Sequence, residues 1–542
     1  MLTVFAIAGL CLLIAAKPGE PGSKAPAREG GIVRVVFSGL AGVDFVDPAL
    51  ASTAPGWAVL DTTCAHLMTY PDKPMPKSFK VVPEVAARPP DVSRDYKRYT
   101  FTLRNDFRFS DNTPVRPSAF KRAIYRTLAP GMHSPGAQHT LDIVGAADFF
   151  AGRTKTIKGI VIRGNKLTIR FIRPAPDFLH RTTTTFLCAV PPNLPADPEG
   201  VGAVPAAGPY HITVFQPGER VSLRKNPYYH GNRPHHVNGF DINLNVGSPQ
   251  DVVRSVDRGD ADWGHVPSGI FFDPSLGVDL VAKYGINHKR FFVRPGFTLR
   301  MLAFNSARAF RNNPSLRRAV NYALNRQAII NGSSGPRASV ASDQYLPYAL
   351  PGFKDARIYP LDHADLAKAN ALARGHMPGR KLVLYTNSTP LPMAFGRVVQ
   401  AQLAKIGLDV EVRGFPLHTA SAAYYEKLAT PGEPWDLALV LWQPSYVDPY
   451  AYLNQLLDGR YAGGTNFTRF DSQAYNRKMR RTATMEPLGV RSRAYGALDA
   501  RLAQYEAPLA AVDFLKEPTF VSNRVGCIVL RPILDLTAVC LK

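Results

Sequence analysis

Between Lys381 and Leu441 the chain alternates strand and helix signals in an order that leaves few folds open. Lys381–Thr386 is an apolar run that reads as a strand. Met393–Ile406 carries apolar residues at helical spacing, and Gly407 stands where a left-handed residue would end that helix. Leu408–Val412 is the next apolar run, so the unit is strand–helix–strand, with parallel strands and a right-handed crossover. A further buried strand is read at Trp435–Leu441; it ends at Trp442 and passes at once into the irregular stretch Gln443–Asp448. Ligands of open α/β sheets sit in the crevice at the carboxyl ends of the strands. A small molecule is therefore expected beside Trp442–Asp448, with Trp442 against it and Gln443 and Tyr446 as polar and aromatic neighbours. The plainer alternative is a core strand ending in an incidental aromatic.

The chain has 542 residues, too many for one ordinary core, so several lobes are expected. Its net charge is +23, and no Asp or Glu occurs from Val281 to Ser342. Such a field favours anionic neighbours: acidic lipid, cell-wall polymer or nucleic acid. The basic residues are spread along the chain without a homeodomain, zinc-finger or RNA-recognition signature, so they read as a solvated arginine-rich surface and no specific nucleic acid is expected.

Residues 1–16 are apolar and uncharged, too short to span a bilayer and suited to the hydrophobic region of a signal peptide. The missing basic flank suggests a start further upstream. Leu10 is large where lipidation of Cys11 would need a small residue, so lipidation is not favoured. Residues 17–31 read as a flexible tether. Export permits disulfides among Cys64, Cys188, Cys527 and Cys540. Cys527 and Cys540 flank a strand–turn–strand pattern and could pair, which would leave Cys64 for Cys188; three connectivities remain open.

A series of landmarks runs from about residue 30 to 540: Val46-Asp-Pro-Ala49, Tyr99–Arg104 with Phe107–Asp111, Gly208-Pro-Tyr210, Arg224–Gly231, Leu302–Asn305, Leu316–Arg326, Gln402–Gly407 and Asp448-Pro449. In that order and spacing the chain resembles the extracytoplasmic solute-binding proteins of family 5, the dipeptide-, oligopeptide- and nickel-binding components of ABC importers. The resemblance implies an α/β, bilobal periplasmic-binding-protein-like fold of class II type with a third, inserted lobe. Lobe I would comprise residues 32–70, 205–290 and 515–542, the inserted lobe II 71–204, and lobe III 291–514. It implies a monomeric receptor rather than an enzyme, without cofactor or metal. Its partners would be a peptide-like solute, enclosed by closure of the two main lobes, and an ABC permease. The protein would work in the periplasm or at the extracellular face of the cytoplasmic membrane.

In that family a carboxylate three residues after the strand-end Trp receives the peptide's α-ammonium. Here the position is Ser445, whose hydroxyl can accept a hydrogen bond but cannot neutralise a buried cation. Candidate solutes therefore widen to N-blocked peptides, sugars and nickel chelates. Asp448, before Pro449, is expected to be structural. Ser52, Thr53 and Trp57 follow the first strand, where the family's first lobe also faces the cleft; for Trp57 the alternative is plain helix packing.

Two rival readings are an exported hydrolase and a cell-envelope polymer-binding protein. Gly332-Ser-Ser-Gly335 is not the G-x-S-x-G of a nucleophile elbow, and Gly159–Lys166 lacks the Gly-Lys-Ser/Thr of a phosphate loop. His235-His236 reads as a loop pair rather than a metal site, and Asp362–Asp365 as helix capping.

Overall fold

The computed structural model describes residues 28–542 apart from 39–41, 274–275, 417–419 and 532–534. The apolar segment 1–16 and most of the tether 17–31 lie outside the described residues. Among the described residues no helix is long and apolar enough to cross a membrane.

Three larger sheets organise the chain. The first has seven strands in the order Phe291–Arg294, Glu517–Val521, Trp263–His265, Ile32–Ser38, Gly239–Val246, Arg220–Lys225 and Tyr210–Gln216. Ile32–Ser38 lies inside it, parallel to both Gly239–Val246 and Trp263–His265. Val33, Val35 and Phe37 pack into one core and Val36, on the opposite face, into another, so the strand is covered on both faces.

The second sheet has six strands: Ser339–Ala341, Leu509–Leu515, Leu299–Phe304, Leu437–Trp442, Leu382–Asn387 and Val410–Phe415. The expected strand–helix–strand unit is here. Leu382–Asn387 and Val410–Phe415 pair in parallel through helix Pro390–Ala404, whose Phe395, Val399 and Leu403 are buried over Leu382 and Leu384. Leu437–Trp442 joins parallel to the same strand. A four-stranded antiparallel sheet, Asp91–Val92, Arg98–Thr102, Lys166–Arg170 and Ile160–Arg163, has its own core with helix Pro117–Thr127.

The chain passes between the first two sheets at residues 295–298 and again at Lys516. Phe291–Arg294 pairs antiparallel with Glu517–Val521, which holds it in the first sheet. The helix after the first strand is Ala54–Thr63, and Cys64, which follows it, is extended. Cys64 is bonded to Cys188, and Cys527 to Cys540, where short strands set the second pair opposite each other. Asp365 caps helix Leu366–Ala373 by accepting from the Lys368 N–H, as its sequence position suggested.

Candidate functional site

In both main sheets the parallel strands bring their carboxyl ends to one edge. A cleft of about 610 Å³ opens there. One wall is the single-turn helix Ser268–Phe272, which follows the end of Trp263–His265. The other is formed by Thr386 and Asn387 at the end of their strand, by Leu439–Leu441, and by Leu391 and Phe395 of the adjoining helix. The volume is within the roughly 300–1,000 Å³ of small-molecule sites.

The strand Leu437–Trp442 divides its side chains between two environments, as alternation requires. Leu439 packs with Leu384 and Phe395 on the cleft side. Ala438, Val440 and Trp442 belong to the core with Tyr424 and Phe470. Leu441 is 48 % exposed and Leu391 49 %, and both line the cleft. Covering each with a ligand would recover roughly 1 kcal/mol. At the floor, Arg300 Nε donates to Asp513 at 2.8 Å and Nη2 to Ser334 Oγ at 3.0 Å, with the guanidinium 5.3 Å from the Phe395 ring centre.

The loop beyond Trp442 is occupied mainly with joining parts of the chain. Trp442 itself is 9 % exposed; its indole N–H donates to the Ala451 carbonyl at 3.1 Å and its ring meets Phe467 edge-on. It lines neither the large cleft nor the small cavity described below. Gln443 is exposed. The Tyr446 hydroxyl is buried, donates to Asp177 Oδ2 at 2.5 Å and accepts from Gln455 Nε2 at 2.9 Å. The Val447 N–H donates to the Tyr70 hydroxyl at 2.9 Å. Asp448 caps helix Pro449–Leu457 and meets Arg491 at 2.6 Å and His180 Nε2 at 3.4 Å. Burial would raise the Asp448 carboxyl, but Arg491 and His180 outweigh it and hold it below the ordinary carboxylate range.

Ser445 and Trp57 come together, at a second and much smaller cavity of about 30 Å³ that they share with Asp61 and Thr183–Phe186. That is room for about one water. Trp57 donates its indole N–H to the Ala51 carbonyl at 2.8 Å. Asp61 is already matched by Arg233 at 3.0 Å, His66 at 3.4 Å and Arg531 at 3.5 Å. Burial works against its charge, but Arg233, the contact with His66 and Arg531 keep it well below the usual carboxylate range. Ser52 and Thr53 are taken up locally. Their hydroxyls donate to Asp44 at 2.8 Å each, and Thr53 caps helix Ala54–Thr63.

The rule that selected Trp442 applies equally to Thr386-Asn387, the end of the first strand of the same unit, and to the turn after Trp263–His265. Nothing in local sequence showed that Leu441 rather than Trp442 would face outward. Among the described residues no cluster of three or more His, Cys, Asp or Glu could hold a metal ion.

Residues 80–464 match the family described as bacterial extracellular solute-binding proteins, family 5 Middle. The chain is 25 % identical over 421 residues to the "Probable D,D-dipeptide-binding periplasmic protein DdpA" of Escherichia coli K12, covering 76 % of this chain and 74 % of that one. It is 23 % identical to the oligopeptide-binding protein OppA of Bacillus subtilis 168, over 73 % of this chain and 72 % of that one. Among solved structures it is similar to clavulanic acid biosynthesis oligopeptide binding protein 2, with a TM-score of 0.83, 21 % identity and 96 % of each chain covered; at that identity the likeness shows the fold.

Proposed function

The chain belongs to the bacterial extracellular solute-binding proteins of family 5, and from that premise we propose that it captures a peptide or similar small solute between two lobes and delivers it to an ABC importer. One observation carries the reading: a cleft of about 610 Å³ lies where the carboxyl ends of two separate sheets face each other, and the chain joins those sheets at only two neighbouring passages. That arrangement suits hinge closure around a guest. Peptide-type relatives such as DdpA and OppA support a peptide-like solute.

The proposed site is the cleft wall Leu439–Leu441 with Thr386, Asn387 and the turn Ser268–Phe272. Of the residues singled out from sequence, Trp442 and Tyr446 are held by internal hydrogen bonds, Ser445 and Trp57 line the small cavity, Ser52 and Thr53 are bonded to Asp44, and Gln443 is exposed. Serines 268, 333 and 334 line the cleft, but among the described lining residues no histidine or cysteine accompanies them, which favours a receptor over a hydrolase. In this reading the protein works as a monomer outside the cytoplasmic membrane, alongside a permease, without a cofactor.

Small-angle scattering on protein stripped of cargo tests it. The radius of gyration should fall on addition of the solute that native mass spectrometry finds retained after gentle purification. No compaction with that solute or with peptide pools would refute the closing-receptor reading.

A further inference from the structure

The walls of the cleft also narrow the class of solute, an inference that rests on the receptor reading. Ile270 and Phe272 face it from one side; Leu391, Phe395, Leu439 and Leu441 from the other. The two half-exposed leucines present a surface that only an apolar guest would cover with profit. Charge is scarce. Among the described lining residues Asp273 and Arg300 are ionisable, and they are opposite in sign. Arg300 is taken up by Asp513 and Ser334, and Asp273 holds an interaction of its own. An ammonium or carboxylate entering this space would lose its water shell without gaining an unengaged counter-charge. The small cavity at Ser445 repeats the pattern, since its Asp61 is matched by Arg233 and Arg531.

Several buried side-chain polar atoms lack a hydrogen-bond partner, and among the described residues Thr386 is the one of them that lines the cleft. Thr386 lines the cleft, is fully buried, and its hydroxyl has no hydrogen-bond partner. Buried hydroxyls are nearly always paired, because leaving one unmade is costly. A peptide amide of the guest would complete it once closure turns the buried hydroxyl toward the cleft.

We infer that the cleft takes a hydrophobic peptide with masked ends, held by apolar contact and by an amide on Thr386, in preference to the zwitterionic peptide of the same sequence. Calorimetric titration of the full chain with N-acetyl-Leu-Leu-amide, unblocked Leu-Leu and N-acetyl-Glu-Glu-amide tests this. The first probe should bind about tenfold or more tighter than either of the others. Equal or tighter binding of the zwitterion overturns the inference.

The Thr386→Val variant supplies a second readout. Affinity for N-acetyl-Leu-Leu-amide should fall about tenfold while the thermal midpoint holds or rises, because the change removes an unpaired hydroxyl. A lowered midpoint with unchanged affinity would assign the hydroxyl to the fold and overturn the contact. Binding of none of the three probes overturns the solute class. The receptor reading would then stand or fall separately, on whether native mass spectrometry finds some other retained solute.

Discussion

Arg294 and Glu517 stand opposite each other in antiparallel register, at the place where both passages between the main sheets run side by side. Burial lowers the arginine and raises the glutamate, and in each case the other's charge partly offsets it. Just beyond, Gly296 lies against the Leu515 carbonyl so closely that any Cβ would overlap it. The Leu515 N–H donates to the Thr298 carbonyl at 3.0 Å. The two passages are thus held side by side between the sheets.

Gly296→Ala should lower stability by about 1–3 kcal/mol, the range for forced overpacking, and weaken ligand-driven compaction. Thermal unfolding and scattering check both; an unchanged midpoint would mean the joint has slack.

Trp442 and Leu441 are adjacent but should behave oppositely. Trp442→Ala removes a buried indole and its bond to Ala451, and should cost about 3–5 kcal/mol in urea unfolding. Leu441→Ser, at a half-exposed position, should leave stability within about 1 kcal/mol yet weaken solute binding. The reverse pattern would return the site to the strand-end indole.

Tyr446→Phe deletes a hydroxyl shared between Asp177 and Gln455. A loss of about 1–3 kcal/mol in stability is expected, with solute affinity little changed, by unfolding and titration in parallel. A large affinity loss at constant stability would place Tyr446 in contact with the guest.

Buried histidines set the acid limit. His139 is packed beside Phe186 and Tyr446, and burial, then the nearby Arg181, pushes it down to about 3, against a partial opposing pull from Asp177. His265 is pushed down to about 4 by burial and Arg294. A folded-state value below the unfolded one means that the unfolded chain takes up protons first. The stabilisation is therefore complete above about pH 6.5 and is lost as pH falls toward 3, by up to about 1.4 kcal/mol per pH unit for each group. Urea midpoints between pH 7 and 4 should show this slope, and His139→Phe should flatten it; an unaltered slope would exclude His139 as a contributor.

The two disulfides should differ in weight. Cys64–Cys188 spans 124 residues and Cys527–Cys540 spans 13. Loop entropy gives about 4–5 kcal/mol for the first and about 3 for the second. Paired Cys→Ala variants, compared by urea unfolding, should keep that order; a greater loss from the shorter loop would show that local packing rather than chain entropy decides.

Much of this fold is written in local periodicity. The unit from Leu382 to Phe415 was readable because its apolar spacing changes from strand to helix and back, with Gly407 (φ +80°) as the stop. The joint was not readable, since the place of Phe291–Arg294 depends on a strand more than two hundred residues later. The site was half readable. A strand's carboxyl end can be found from sequence. Which of two neighbouring residues is left exposed at the cleft depends on the register Leu299↔Trp442 and Arg300↔Leu441, and on helix Pro449–Leu457 lying over the indole. The structural reading of Asp448 came from the resemblance to the family; its partners Arg491 and His180 come from distant segments and were not legible.

Hydrogen–deuterium exchange, with and without the retained solute, tests the central claim most directly. The account predicts simultaneous protection of 268–272, 386–391 and 439–441, the two walls of the cleft, with little change at 443–448. Protection confined to 443–448 and the helix bearing Trp57, with the walls unaffected, would contradict it.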